Sequence, residues 1–234
     1  MTGFVFYDGP SSIDGAPIVG IATMESRNGK TGDMIQTFIL RADQHPLEAL
    51  RTGADWSICA DCALRGSPDE PRLCYVDVSK SVSQVWSAWL RGAYPLVSPA
   101  EARALVAGRE VRMGSYGDPF AIRRSAWSWV TGADGWTAYT HQWRRANAQW
   151  LKAFAMASVE SLAELEMAQS LGWRTYRVRT ASDALAPREA MCPASDEAGN
   201  RLQCIDCLAC DGADRPGKAS MAIVVHGVMK RHFN

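Results

Sequence analysis

The chain has 234 residues, and 47% of them are apolar, which is enough to bury a full-sized core. The charges of its 25 basic and 25 acidic residues cancel, so no net charge attracts the chain to nucleic acid or anionic lipid. Attraction to either would require a local basic groove. An odd count of seven cysteines, with no signal peptide and no long apolar run, predicts a cytoplasmic protein with reduced thiols and no membrane contact.

Residues 1–42 are predicted to form an antiparallel β unit. Three apolar stretches, 4–7, 16–23 and 34–41, are separated by turn residues, as in strands joined by hairpins. The glycines of the 29–32 loop are too closely spaced for a phosphate loop and indicate a turn instead.

Residues 43–79 are predicted to form an irregular loop with a first cysteine set, Cys59, Cys62 and Cys74. Three thiolates leave one position of a metal centre open, as a [4Fe–4S] cluster that takes part in a reaction requires. Zinc is the alternative, because Cys-x2-Cys pairs are common in zinc sites, and His45 would then be the fourth ligand.

Helices and strands alternate over residues 80–191. Capping boxes at Ser98 and Ser161 mark the starts of two helices. Two further helices are predicted near 121–130 and 144–152. The predicted strands are 110–113, 137–139, 153–157, 174–178 and, within the C-terminal segment 219–234, 221–225. This alternation predicts an α/β fold with a parallel sheet, either open and doubly wound or, as we favour, a complete or partial (β/α) barrel in a single domain.

Polar residues follow several of these strands, namely Asp118, His141, Ser158 and Glu160, and Arg177 lies at the end of the strand 174–178. In a barrel, strand ends meet at one mouth, where reacting groups gather. We therefore predict that Asp118, His141 and Arg177 orient a substrate or cofactor. The alternatives are a turn or cap residue at Asp118, a structural histidine at His141 and a solvated charge at Arg177.

A second cysteine set, Cys192, Cys204, Cys207 and Cys210, lies in the loop 192–218. The two consecutive two-residue gaps are typical of a ferredoxin-type run, whose remaining ligand comes from elsewhere in the chain, here Cys192. The set predicts an auxiliary [4Fe–4S] cluster. A closed, tetrahedral zinc site is the alternative.

The chain has nine tryptophans, a high count for its length. They either pack in the core with their indole N–H groups satisfied or form an aromatic wall for a flat substrate or a nucleobase. Five of them lie next to polar residues that are typical of loops: Trp56, Trp127, Trp129, Trp136 and Trp143.

Several segments resemble small phage-encoded proteins that are related in pattern to radical-SAM-type partial barrels. The matching segments are 32–36, 59–66, 74–76, 112–119, 139–143, 172–178, 192–195 and 204–210. The resemblance implies that the open iron of the first set binds S-adenosylmethionine. Gly117 and Asp118 fall where that superfamily has a glycine-rich motif for the methionine amino group, and Tyr75 and Ser158 are assigned to the same cofactor.

The resemblance further implies an iron–sulfur enzyme that acts on a small molecule, a nucleotide or a DNA base in the host cytoplasm, with the cofactor supplying the chemistry. Two alternatives stay open. One is a zinc-stabilised nucleic-acid-binding or replication-associated phage protein without redox chemistry. The other is a metal-held anti-defence protein that acts by interaction.

Overall fold

The computed structural model describes residues 1–67, 71–215, 217–226 and 233. The chain forms two compact units. Unit 1 comprises residues 1–27, 33–61 and 76–136, and unit 2 comprises 28–32, 62–75 and 137–234. Each unit has its own five-stranded sheet. In the described ranges, no helix has the length and apolar character needed to cross a membrane.

The sheet of unit 1 is mixed. Strands β1 (Gly3–Pro10), β2 (Pro17–Thr23) and β3 (Ile35–Arg41) pair antiparallel, which confirms the predicted N-terminal β unit. Strand β4 (Glu110–Tyr116) then pairs parallel to β3, and β5 (Gly135–Thr137) completes the order β1-β2-β3-β4-β5.

The helices of unit 1 are short. They are α1 (Pro46–Thr52), α2 (Trp56–Cys59), α3 (Ser83–Leu90), α4 (Pro99–Leu105), a segment kinked at Lys80 (Val78–Val82) and two 3-10 helices (Pro119–Ala121 and Arg124–Gly132). The predicted capping box of α4 is present: the Ser98 hydroxyl accepts from the Glu101 N–H at 3.3 Å, and the Glu101 carboxylate accepts from the Ser98 N–H at 2.8 Å.

The sheet of unit 2 is parallel throughout. Its strands are β6 (Tyr139–Thr140), β7 (Met156–Val159), β8 (Thr175–Arg179), β9 (Glu189–Met191) and β10 (Ser220–Val224), in the order β6-β7-β8-β10-β9. The predicted parallel sheet is confirmed, whereas the barrel stays a prediction. The predicted C-terminal tail lies outside the described residues beyond residue 226, except for residue 233.

Four connections join these five parallel strands in chain order, and three of them contain helical segments. Two 3-10 helices (Gln142–Arg144 and Ala146–Ala153) join β6 to β7, and α5 (Leu162–Ser170) joins β7 to β8. The capping box predicted for α5 forms only in part. The Ser161 hydroxyl accepts from the Glu164 N–H at 3.2 Å, but the Glu164 carboxylate accepts from the Glu160 N–H, at 2.8 Å, and not from the Ser161 N–H. The second cysteine set lies between β9 and β10, in a loop with a 3-10 turn (Asp196–Ala198) and the single helical turn α6 (Cys204–Cys207).

Three of the tryptophans next to polar signals are core residues. Trp127 and Trp129 pack against Phe6 in unit 1, with ring centroids 4.9 and 5.1 Å apart. The indole N–H of Trp143 donates to the Ser158 carbonyl at 3.0 Å in unit 2. All three indoles are fully buried, so core packing is confirmed for them. The Trp127 N–H donates to the Pro119 carbonyl at 3.0 Å, whereas the Trp129 N–H is buried without a hydrogen-bond partner among the described residues, so the expectation of a satisfied N–H is wrong for Trp129. Trp56, at 40% exposure, does not share that environment.

Candidate functional site

The parallel sheet of unit 2 gathers four chemically active side chains at one edge. His141 directly follows β6, Glu160 follows β7, Cys192 follows β9, and His226 lies two residues after β10. Because the strands are parallel, their carboxyl ends share one edge, and ligands of open parallel sheets bind at that edge. His141 and Cys192 were predicted as site residues. Glu160 was predicted at a strand end without a role, and His226 was missed.

His141 interacts with two acidic groups in unit 2. Its Nε2 atom lies 2.9 Å from Glu160 Oε1 and 3.7 Å from Cys62 Sγ. The side chains of His141 and Glu160 are only 17% and 14% exposed. Burial by itself lowers the pKa of His141, but the charges of Cys62 and Glu160 and their hydrogen bonds outweigh burial and raise that pKa well above its usual value. We name these three residues the His141 cluster.

The first cysteine set is divided between the two units. Cys59 is the last residue of α2 in unit 1, whereas Cys62 and Cys74 belong to unit 2. Within unit 2, the backbone N–H of Cys74 donates to the Leu64 carbonyl at 2.7 Å and closes the loop that follows Cys62. His45, the alternative zinc ligand, caps α1, since its Nδ1 accepts from the Leu47 N–H at 3.3 Å, and its role as a ligand stays a prediction.

The second cysteine set converges more closely. Cys192 and Cys210 belong to one apolar cluster of unit 2, Cys204 packs against that cluster, and Cys207 lies on the same helical turn as Cys204. Leu208, which ends that turn, has a left-handed backbone with φ 47° and ψ 24°, and its N–H donates to the Cys204 carbonyl at 3.0 Å. This reversal directs the chain from Cys207 back to the cluster at Cys210. The cluster also contains Met156, Tyr176, Ala194, Met221 and Ile223.

A buried arginine holds the second cysteine loop from one side. Arg174 lies directly before β8 and is 8% exposed. Its guanidinium donates to the carbonyls of Ala209 and Gly212 at 2.7 Å each and of Ala219 at 2.8 Å, and it also contacts the Asp211 carboxylate at 3.3 Å. Bonds of this kind involve a charged donor and are stronger than neutral ones. Arg174 therefore fixes the segment that contains the last cysteine.

The 28–32 turn holds the same loop by hydrogen bonds at Gln203 and Cys204. The carbonyl of Lys30 accepts from the Cys204 N–H at 2.9 Å, and the carbonyl of Gly29 accepts from the Gln203 side chain at 2.8 Å. Gly32 has φ 71°, and a Cβ atom there would lie 2.7 Å from Ile205 Cγ2. The predicted turn thus forms, and its backbone also supports α6.

All seven cysteines are free thiols. Among the residues that the structure describes, no three His, Cys, Asp or Glu side chains are already arranged to hold a metal ion. Without a metal, the thiols of the second set pack as small apolar groups would. Both predicted metal centres therefore stay predictions.

Arg177, predicted as a catalytic residue, is buried in an ion pair. Its guanidinium makes two bonds to the Glu189 carboxylate, at 2.6 and 2.9 Å, and donates to the Ala184 carbonyl at 2.8 Å. Both side chains of the pair are almost completely buried, so the alternative of a solvated charge is wrong. The pair joins β8 to β9, and an orienting role for Arg177 stays a prediction.

The other predicted site residues have structural contacts of their own. In unit 1 the Asp118 carboxylate accepts from the Phe120 N–H at 2.9 Å and caps the 3-10 helix that follows. Gly117 has φ 82°, and a Cβ atom there would lie 2.7 Å from Ile39 Cβ. In unit 2, the half-exposed Tyr75 ring contacts the His226 ring at 5.3 Å, and Ser158 is buried in β7. Their assignment to a cofactor stays a prediction.

No family model, curated protein or solved structure matches this chain. Function therefore has to be inferred from the chemistry of the site, because a fold by itself does not define an activity. His226 does have a sequence signal, because it directly follows the predicted strand 221–225, just as His141 closely follows 137–139. The approach of Cys62 to His141 had no sequence signal, because 79 residues separate them.

Proposed function

We propose that this protein is an iron–sulfur enzyme. In this proposal the four C-terminal cysteines hold an auxiliary metal centre, and the reacting groups lie at the carboxyl edge of the parallel sheet in unit 2. The observation that carries the proposal is that Cys192 and Cys210 lie in one apolar cluster and Cys204 packs against it, with Cys207 on the same helical turn as Cys204. Four thiols that converge on one loop are a suitable donor set for a closed metal centre.

The donor set fits either of two metals. Four thiolates complete the coordination of one zinc ion or hold the irons of a [4Fe–4S] cluster. We place iron–sulfur first, because Cys204, Cys207 and Cys210 are evenly spaced, whereas zinc loops usually have two separated pairs. A bound cluster would supply electron transfer, and zinc would supply a cross-link. In both cases Arg174 and the 28–32 turn hold the loop that presents the thiols.

The His141 cluster supports a reaction site at the edge of the sheet. His141 and Glu160 extend from the ends of two neighbouring strands, which pair at Thr140 and Ala157. A buried, charged group with a strongly shifted pKa at a ligand-binding edge is a typical feature of a reaction site. A small molecule or a nucleotide is the proposed substrate class.

Metal content tests the auxiliary centre. Protein purified without oxygen should be brown and contain iron and sulfide, and Cys207→Ser should lose that iron. Asp206→Asn is the matched control, because Asp206 is exposed on the same helical turn, and it should keep the iron. Colourless protein with zinc lost only in Cys207→Ser would select the zinc alternative. Wild-type protein without either metal would refute the proposed centre.

The proposed reaction class, radical-SAM-like chemistry on a nucleotide or DNA base, rests on the sequence resemblance. Addition of S-adenosylmethionine to the reduced protein should change the EPR spectrum of the cluster and release 5′-deoxyadenosine. If the spectrum stays unchanged and no nucleoside is released, the reaction class is wrong. A zinc-stabilised nucleic-acid-binding protein would then be favoured.

A further inference from the structure

We propose that Tyr75, His226 and Lys30 bind a nucleotide at the carboxyl edge of the parallel sheet in unit 2, with the base stacked on Tyr75 and a phosphate at Lys30. The inference deepens the proposed function, on which it rests, because it narrows the substrate class to a nucleotide and names the residues that hold it. Tyr75 directly follows Cys74, so the base lies beside a member of the first cysteine set, whose predicted cluster is left intact.

His226 and Tyr75 lie where the strand order of the sheet reverses. The chain forms β6, β7 and β8 in one direction, passes to β9 at the far edge and then returns to β10 between β8 and β9. His226 lies two residues after β10, and the Tyr75 ring contacts it. In open parallel sheets, ligands bind outside the carboxyl ends of the strands, at the point where the strand order reverses. The position therefore favours a binding site.

Tyr75 presents an aromatic ring that its neighbours support. The ring centroids of Tyr75 and His226 are 5.3 Å apart, with planes inclined at 31°, and Tyr75 is 49% exposed. Burial and the neighbouring charge of Lys30 lower the pKa of His226, so its ring is neutral at neutral pH and packs against Tyr75 as an aromatic group. The bond from the Cys74 N–H to the Leu64 carbonyl, at 2.7 Å, holds the adjoining backbone. Stacking on such a ring suits any base, because every base has a π-face.

Lys30 supplies a positive charge next to the two rings. Its ammonium nitrogen lies 3.5 Å from His226 Nε2. An ammonium has three N–H donors, so a hydrogen bond to one imidazole nitrogen still permits a bond to a phosphate oxygen. The backbone of Lys30 is fixed on both sides, because its N–H donates to Asn28 Oδ1 and its carbonyl accepts from the Cys204 N–H, at 2.9 Å each. A fixed cation beside an aromatic ring matches a ligand that carries a phosphate on an aromatic base.

A free nucleotide and a nucleotide unit within a DNA strand share this chemistry. The charges of the 25 basic and 25 acidic residues cancel, so no net charge attracts a long phosphate backbone. A free nucleotide is therefore the expected ligand, and an oligonucleotide distinguishes the two sources.

Calorimetric titration of the full chain with deoxyadenosine monophosphate (dAMP) tests the site. Tyr75→Leu should weaken dAMP binding by about tenfold or more, the usual effect of removing a stacking ring, and Tyr75→Phe, which retains the ring, should recover most of that affinity. In Lys30→Gln the affinity for dAMP should fall to the affinity for deoxyadenosine, which lacks the phosphate.

Lys80→Gln is the matched control. Lys80 is exposed in unit 1, and its replacement changes the net charge by the same amount, so this variant should bind dAMP as the wild type does. Circular dichroism would establish that each variant is folded, and if Tyr75→Leu fails to fold, Lys30→Gln decides.

Two results would overturn the proposal. One is a wild-type chain that binds neither dAMP nor hexadeoxyadenylate at millimolar concentration, and the other is equal dAMP affinity in wild type, Tyr75→Leu and Lys30→Gln. Hexadeoxyadenylate that binds more than about tenfold more tightly than dAMP, with the same two variants impaired, would confirm the site and assign it to a DNA strand. Metal content is measured separately, so a chain without iron would refute the proposed iron–sulfur enzyme and leave nucleotide binding unaffected, and the reverse also holds.

Discussion

Replacement of Arg174 should loosen the second cysteine loop more than any surface substitution in that loop. Arg174→Met removes three short bonds to the carbonyls of Ala209, Gly212 and Ala219 and leaves those oxygens without this donor. Hydrogen bonds that involve a charged group are worth about 1.5 kcal/mol or more each, so the loss of three should lower the free energy of unfolding by at least about 4.5 kcal/mol. A buried ion-pair contact with Asp211 is lost as well.

Urea unfolding measures the change in the free energy of unfolding. Arg174→Met should also retain less metal than the wild type during dialysis against a chelator. Arg174→Lys keeps the charge but cannot reach several carbonyls at once, so it should recover only part of the stability. Arg201→Met is the control, because Arg201 is exposed in the same loop. An Arg174→Met variant whose free energy of unfolding lies within about 0.5 kcal/mol of the wild type, the range typical of surface substitutions, would show that Arg174 does not hold the loop.

Three further predictions concern local stability. Gly32→Ala should lower the melting temperature and cost about 1–3 kcal/mol of stability, because its Cβ would clash with Ile205 of α6 and its φ is positive. Gly29→Ala is the control, because a Cβ atom at Gly29 meets nothing within 4 Å. Equal melting temperatures for the two variants would contradict this prediction. Ser98→Ala should lower the free energy of unfolding, measured with urea, by about 1 kcal/mol, because it removes the N-cap of α4. The metal content should stay unchanged. An unchanged urea midpoint would show that the cap does not contribute to stability. Cys207→Ala should lower the melting temperature more than Cys59→Ala does, because loss of a metal centre removes a cross-link from a loop with few large apolar residues. A larger drop in melting temperature for Cys59→Ala would argue against a metal at the second cysteine set.

The structure also shows why two predicted helices take a different form. Residues 124–132 and 146–153 form 3-10 helices, in the segments where helices were predicted near 121–130 and 144–152. In the first segment, Trp127 and Trp129 both pack against Phe6. Residues two apart do not share a face of an α-helix, and the tighter 3-10 turn brings them closer to one side. Tertiary packing therefore outweighs the local helix signal.

Local chemistry in the sequence determined the elements that depend on near neighbours. The antiparallel N-terminal strands follow from apolar stretches with turn residues between them, and the cap of α4 follows from Ser98 and Glu101. The cysteine spacing likewise separated a set of three from a set of four. Such features are readable because the groups that interact lie within a few residues of each other.

Only the tertiary structure decided which distant groups meet. His141 and Glu160 come together because β6 and β7 pair in parallel, and the 28–32 turn supports α6 although more than 170 residues separate them. The two units likewise divide the first cysteine set between Cys59 and Cys62. Hydrophobic periodicity specifies which face of an element is buried, but it does not specify strand order or the partner of a loop. Those are set by the packing of the whole chain, and they place the His141 cluster at the edge of the parallel sheet.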